Sequence, residues 1–186
     1  MLYINDLPER LTSTSKLFAD DTICHNDATD PQDQKDFQQD LDSLADREQR
    51  WKLSVHLQRC TAVNITRRRT VFSHHNTSST VTLSTETEAR YLEVKITANL
   101  RWDAHITDVC NKANKTLGFL RRNIKTINER LKNAAYKTFV RPVLEYASPV
   151  WDRFTANNIK ALEKVQRRAV RWVKQDYRRS ARVDTM

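Results

Sequence analysis

The chain has 186 residues, enough for one domain or two small ones around a buried core, and contains a single glycine, Gly118. One glycine excludes every glycine-rich phosphate-cradling loop, so P-loop and dinucleotide-binding readings fall away. The net charge of +9 is divided unevenly: residues 1–60 hold 7 Lys/Arg against 12 Asp/Glu (−5), and residues 61–186 hold 25 against 11 (+14).

A strongly basic rear half points to a polyanionic partner, nucleic acid being the usual one, although basic faces are also commonly just solvated. With so little glycine, tight turns are expected to fall to Asn, Asp and Pro, and helix is favoured. Cys24, Cys60 and Cys110 are odd in number and far apart, which reads as small buried side chains of a reducing compartment. His74-His75 sits in a Ser/Thr/Asn-rich stretch without ligand partners at metal spacing. No apolar run approaches the ~20 residues of a membrane helix, and the start lacks a signal peptide. The expectation is a soluble intracellular protein, nuclear or cytoplasmic, with no membrane partner.

Leu2-Tyr3-Ile4 is apolar and breaks at Asn5-Asp6-Leu7-Pro8, as though the element it belongs to begins earlier. Lys16-Leu17-Phe18-Ala19-Asp20-Asp21-Thr22-Ile23-Cys24 then reads as two short strands joined by a tight turn, both acids at its tip. Neighbouring carboxylates repel, so a fold that presents them together usually places a cation between them. Magnesium suits the pair, being a hard ion that takes one or two carboxylates together with substrate phosphates. The chemistry this implies is phosphoryl transfer with two metal ions. Asp-Asp pairs are also ordinary turn residues.

Asp30 as N-cap, Pro31 at the first helical position and acids in the first turns predict a helix to about Trp51. Its stripe is Phe37, Leu41, Leu44, Glu48 and Trp51, placed to pack on a sheet. Thr61–Thr66 reads as a strand, Arg67-Arg68-Arg69 ends it, and Val81–Leu83 and Tyr91–Ile96 read as two strands facing each other. From Trp102 the period becomes helical. Asp103 is the expected cap of a helix with Ile106, Val109, Cys110, Ala113, Leu117, Leu120, Ile124 and Ile127 on one face. Lys112, Lys115 and Arg122 lie nearly opposite, with Phe119 on their side. A second helix, about 128–146, carries Leu131, Ala135, Phe139 and Leu144, and Pro142 should kink or divide it. A third, about 157–173, carries Ile159, Leu162, Val165, Ala169 and Val173, surrounded by Lys160, Lys164, Arg167, Arg168 and Arg171. The four tryptophans are expected in cores. The fold class is α+β: a sheet-bearing region followed by a mostly helical basic region.

Taken together, these residues resemble the reverse transcriptase of non-LTR, LINE-type retrotransposons of the jockey group. The resemblance runs in one order along nearly the whole chain. It starts with Leu2–Pro8 and the Phe18-Ala19-Asp20-Asp21-Thr22 box, and passes through Trp51 to Ser54–Cys60. Arg90-Tyr91-Leu92-Glu93-Val94-Lys95-Ile96 and Leu100–Asp103 follow, then Leu117–Asn123 and Tyr136-Lys137 with Val140-Arg141-Pro142. Leu144–Ser148, Val150-Trp151 and Val165–Arg168 close it.

The resemblance implies a partial polymerase palm over residues 1–97, an antiparallel sheet with a packed helix. It implies a truncated thumb-like helical region over 98–186 that holds the template–primer duplex, with Lys112, Lys115, Phe119 and Arg122 as contacts. It makes Asp20 a ligand of catalytic Mg2+ and Asp21 a weaker one, and places Phe18 and Ala19 near the primer end. Arg59 stands where a lysine usually serves the leaving pyrophosphate; its guanidinium gives up a proton far less readily. Tyr91, Leu92 and Glu93 resemble the primer-grip hairpin. The partners implied are an RNA template, a DNA primer and deoxynucleotides. The third aspartate of such a palm and its Pro-Gln-Gly-type segment are absent from these 186 residues, Leu57 replaces a proline, and Glu93 replaces a glycine. A fragment open at both ends, inactive by itself, is therefore expected; the runner-up is a non-catalytic basic helical module that binds nucleic acid.

Overall fold

The computed structural model describes residues 11–19, 21–27, 30–52, 60–66, 77–78, 81–151 and 155–177, with backbone alone at 48, 51, 77, 78 and 81. It is an α+β chain in two compact units, residues 1–100 and 101–186.

In the first unit, β1 (Thr14–Phe18) and β2 (Asp21–His25) form an antiparallel hairpin in which Phe18 faces Asp21. β2 begins at Asp21, so Asp21 opens that strand and does not share the tip. Helix α1 spans Pro31–Trp51. Asp30 caps it as expected: Oδ1 accepts from the backbone N–H of Gln32 (3.0 Å) and Asp33 (3.2 Å). Asp33 returns the favour to the Asp30 N–H at 3.0 Å, a capping box closed by an aspartate. Leu41 and Ala45 are buried from this helix, while Phe37 and Leu44 are half-buried.

The expected strand over 61–66 reduces to β3 (Thr61–Ala62), which pairs in parallel with β6 (Ser84–Thr85). β4 (Thr77–Ser78) pairs with β5 (Val81–Thr82), so the 81–83 segment does not face 91–96. Nor is 91–96 one strand. β7 (Glu88–Tyr91) and β8 (Val94–Thr97) are the two arms of a hairpin turning at Leu92-Glu93. All described strands therefore sit in two-stranded sheets.

The second unit is helical: α2 (Asp103–Asn123), α3 (Glu129–Ala135), a π turn (Tyr136–Val140), α4 (Arg141–Glu145) and α5 (Ala156–Lys174). Asp103 is the first helical residue of α2 and not its cap; Trp102 takes that place with no side-chain bond, and Asp103 pairs with Arg101 at 2.9 Å. The helix stops at Asn123, so Ile124 is its C-cap, and Ile127 lies beyond it, 83 % exposed.

Pro142 does divide the second helix. Lacking an N–H, it cannot donate to the carbonyl four residues back, and its ring crowds that carbonyl. The chain responds with a π turn, the Arg141 N–H reaching the Tyr136 carbonyl five residues back. An i,i+4 row drifts by ~40° per step in a regular α-helix, and the wider π turn cancels part of that drift. Hence Lys132, Tyr136, Val140 and Leu144 form the buried row, while Leu131 and Phe139 face solvent against expectation.

The core of this unit also takes Ile106, Cys110, Ala113, Leu117 and Leu120 from α2, and Leu162, Val165, Ala169, Val170, Trp172 and Val173 from α5. Ile159 falls outside it. Trp151 and Trp172 are buried and Trp102 is half-buried, as expected of core residues. Trp151 donates to the Tyr146 carbonyl at 2.8 Å and meets the buried His105 ring edge-on at 5.4 Å.

Asn99 and Pro149 stand in turns as expected, but the left-handed positions differ from expectation. The described residues with positive φ are Ala19, Lys52, Leu92, Glu93, Leu100, Ala147 and Gln175, none of them Asn or Asp. Gly118 lies inside α2 instead.

Candidate functional site

Strand alternation divides the β1–β2 hairpin into two faces. Lys16, Phe18, Asp21 and Ile23 share one, and Ser15, Leu17, Thr22 and Cys24 the other. Asp21 is exposed and Phe18 is 61 % exposed, so the closing pair of the hairpin is open to solvent. Ala19 begins the turn with φ 53°, where an alanine is strained. Asp20 and Arg59, together with Arg67–Arg69, His74-His75 and Arg178-Arg179, lie outside the described residues.

Asp40 ties down the other face. It is 5 % exposed in the middle of α1. Its Oδ1 accepts the Thr12 N–H at 3.0 Å, and its Oδ2 accepts the Thr12 hydroxyl at 2.9 Å and the Ser13 N–H at 2.7 Å. Burial pushes this carboxyl up, but the hydrogen bonds from Ser13 and Thr12 outweigh it and leave it below the usual carboxylate range. Burial, reinforced by the Asp40 charge, pushes the Cys24 thiol up. Asp40 therefore sits at the root of the hairpin and positions the strand that leads to Asp21. Sequence reasoning passed over it; the available signal was an aspartate three residues after Phe37 and four before Leu44, on the edge of an apolar stripe.

No group of three or more His, Cys, Asp or Glu side chains among the described residues could hold a metal ion. Asp21 by itself falls short of the several oxygen ligands that octahedral Mg2+ takes.

At the β7–β8 hairpin, Tyr91 and Leu92 are half-buried and Glu93 is exposed. Leu92 (φ 45°) and Glu93 (φ 64°) are both left-handed, the geometry of a type I′ turn, which ordinarily selects Asn-Gly. Glu93 lies 3.8 Å from the Arg90 guanidinium, so the carboxylate standing in the glycine position is held at the turn by a neighbouring cation.

Lys112, Lys115, Phe119 and Arg122 are exposed along one side of α2, opposite its buried face, and Phe119 is 58 % exposed. Asp108, one turn before Lys112, lies on the same side. Helix α5 packs beside α2, and Arg168 donates to Asn114 Oδ1 at 3.0 Å across the seam. No helix among the described residues is long and apolar enough to cross a membrane. Compared with protein-family models, curated proteins and solved structures, the chain matches none of them.

Proposed function

We propose that the chain is a portion of the reverse transcriptase of a LINE-type, jockey-like retrotransposon, comprising the rear of the palm and a thumb-like helical region. The observation that supports the reading is the β1–β2 hairpin: two antiparallel strands flank positions 19–20, and Asp21 opens the second of them. Around it the other boxes follow in the family's order. In the parent enzyme Asp20 and Asp21 hold Mg2+ with carboxylates from outside these 186 residues, and the ion supplies two-metal nucleotidyl transfer. Phe18 and Ala19 border the primer end, Arg59 faces the departing pyrophosphate, and the β7–β8 turn approaches the primer. With only part of the ligand set, the isolated chain is inactive.

The test is to fuse the missing upstream segment of a jockey-type polymerase to this chain and measure Mg2+-dependent extension of a DNA primer on an RNA template. Activity that disappears in Asp20→Asn supports the reading. Extension by the fusion that survives Asp20→Asn refutes it, as does extension by the 186 residues alone.

A second reading rests on a separate observation, the exposed basic sides of α2 and α5. In it the helical unit binds the phosphate backbone without catalysing anything. Binding to duplex that weakens steeply with salt supports it, and no binding at low salt rejects it.

A further inference from the structure

We infer that the connection from α2 to α3, together with the end of α5, docks an acidic peptide segment of a protein partner. Ile127, Leu131 and Tyr177 are its apolar contacts, and Lys125, Arg130 and Lys174 its charged rim. This surface is independent of the polymerase reading. Ile127 precedes Asn128, the N-cap of α3, a position from which an apolar side chain ordinarily packs on the fourth helical residue. Here that residue is Lys132, buried with its ammonium 5.7 Å from the centre of the Trp172 ring, and Ile127 is left 83 % exposed. Leu131, one turn on, is 52 % exposed. The end of α5 meets the same connection: the Gln175 side chain donates to the Ile127 carbonyl at 3.2 Å. Tyr177, two residues later, is 59 % exposed. Exposed apolar residues scattered singly would mean little, but three gathered at one junction mark an interaction surface.

Charge decides what covers it. Residues 121–132 hold five Lys/Arg against a single acid, Glu129, and residues 101–186 hold 20 against 8 (+12). Lys125, Arg130 and Lys174 are exposed and form no ion pair among the described residues. A second copy meeting the surface junction to junction would set these cations against their own kind, which disfavours it. A phosphate backbone would satisfy the cations but offer no apolar group to Ile127 and Leu131. An acidic segment with apolar side chains among its carboxylates answers both. Its anchors bury against Ile127, Leu131 and Tyr177, and its carboxylates face the rim, which steers encounter and selects the partner.

The experiment titrates the full chain against a fluorescent peptide of about 15 residues in which Leu and Phe recur among Glu, followed by anisotropy. A control peptide carries Lys in place of Glu. The acidic peptide should bind and the lysine peptide should not. Ile127→Ser combined with Leu131→Ser should weaken binding by at least about tenfold, the loss expected when two aliphatic contacts no longer bury. Lys125→Gln, Arg130→Gln and Lys174→Gln together should weaken it by at least about threefold and flatten its dependence on salt. Circular dichroism checks that the helices persist. Ile127 lies outside them, so if the double variant fails to fold, Ile127→Ser alone decides, with an expected loss of about threefold or more. The inference is overturned if the acidic peptide does not bind at about 1 mM, if both peptides bind alike, or if the serine variants bind as the wild type does. Duplex DNA or anionic vesicles whose binding falls with the serine variants as much as the peptide's would overturn it too. So would self-association of the wild type, seen by sedimentation, that the serine variants abolish.

Discussion

Replacing Glu93 by glycine should stabilise the first unit, because this residue sits where an L-side chain is least at ease. Its φ of 64° follows Leu92 at 45°, so both central residues of the β7–β8 turn are left-handed. For a residue with a Cβ that conformation costs about 1–2 kcal/mol. Glycine removes the clash but gains freedom in the unfolded chain, which takes back about 0.4–1 kcal/mol. The Arg90–Glu93 ion pair is also lost. At 3.8 Å, with both side chains more than half exposed, its contribution lies at the low end of the ~0–1 kcal/mol usual for surface pairs. The net gain is between about 0 and 1.5 kcal/mol, with a middle value of about 0.7, or a rise of about 3–6 °C in Tm for a unit of this size. Calorimetry on the full chain measures the shift, and hydrogen exchange at the Val94–Thr97 amides localises it. Glu93→Ala is the control, since it deletes the same ion pair and keeps the strain. Equal melting temperatures for the glycine and alanine variants would refute the reasoning, as would a fall with glycine.

Three further outcomes follow from particular contacts. Asp40→Asn leaves one carbonyl oxygen for three donors and turns an NH2 toward one of them, which should cost about 1–3 kcal/mol at neutral pH. Because the folded carboxyl lies below its unfolded value, its contribution is intact above the ordinary carboxylate range and disappears as the pH falls through the depressed folded value. Urea titrations from pH 7 downward should show the wild type converging on the variant only in acid; a constant gap would be wrong for this mechanism. Gly118→Ala should raise the Tm of the second unit, by about 0.5–1 kcal/mol of helix propensity. The added Cβ meets only the flexible end of Arg122 at 3.5 Å, so a lower Tm would mean that the helix is strained there. Trp151→Ala empties a site that is 2 % exposed and frees the Tyr146 carbonyl. A loss of about 3–5 kcal/mol is expected in denaturant titrations, and a loss under about 1 would show that the site collapses freely.

Legibility followed local chemistry. Helix α1 was readable to the residue because Asp30 and Pro31 are start signals with a mechanism, and the stripe behind them keeps a regular period. The β1–β2 hairpin was readable in its strands, but Asp21 pairs with Phe18 in the ladder and does not stand at the turn. The β7–β8 hairpin was hidden from pattern reading, since Leu92-Glu93 has none of the Asn or Gly that marks a type I′ turn. Alternation through Tyr91–Ile96 looked like one strand, and only the family resemblance hinted at a hairpin. The cores of α3 and α4 were misassigned at Leu131 and Phe139 because a π turn changes the period and leaves no direct trace in hydrophobic spacing. At the candidate site, the cationic side of α2 was legible as the complement of an apolar face. Asp40 was not, because its role depends on Thr12 and Ser13, distant in sequence.

The scarcity of glycine has a physical consequence that separates the two units. Five of the described left-handed non-glycine residues fall in the first, Ala19, Lys52, Leu92, Glu93 and Leu100, and two in the second, Ala147 and Gln175. Apolar burial runs the other way. Among the described residues, Leu41, Ala45 and Val94 are the buried hydrophobic side chains of the first unit, whereas the second buries whole faces of α2 and α5 together with two tryptophans. Among the described residues, strain at ~1–2 kcal/mol per left-handed residue therefore falls on the unit that buries fewer apolar side chains. There a buried carboxylate with three donors carries weight: Asp40 anchors the root of the hairpin that presents Asp21. The helical unit, by contrast, buries whole faces of α2 and α5 against its own core, so the proposed binding of phosphates by its basic sides is tested separately from any catalysis at the hairpin.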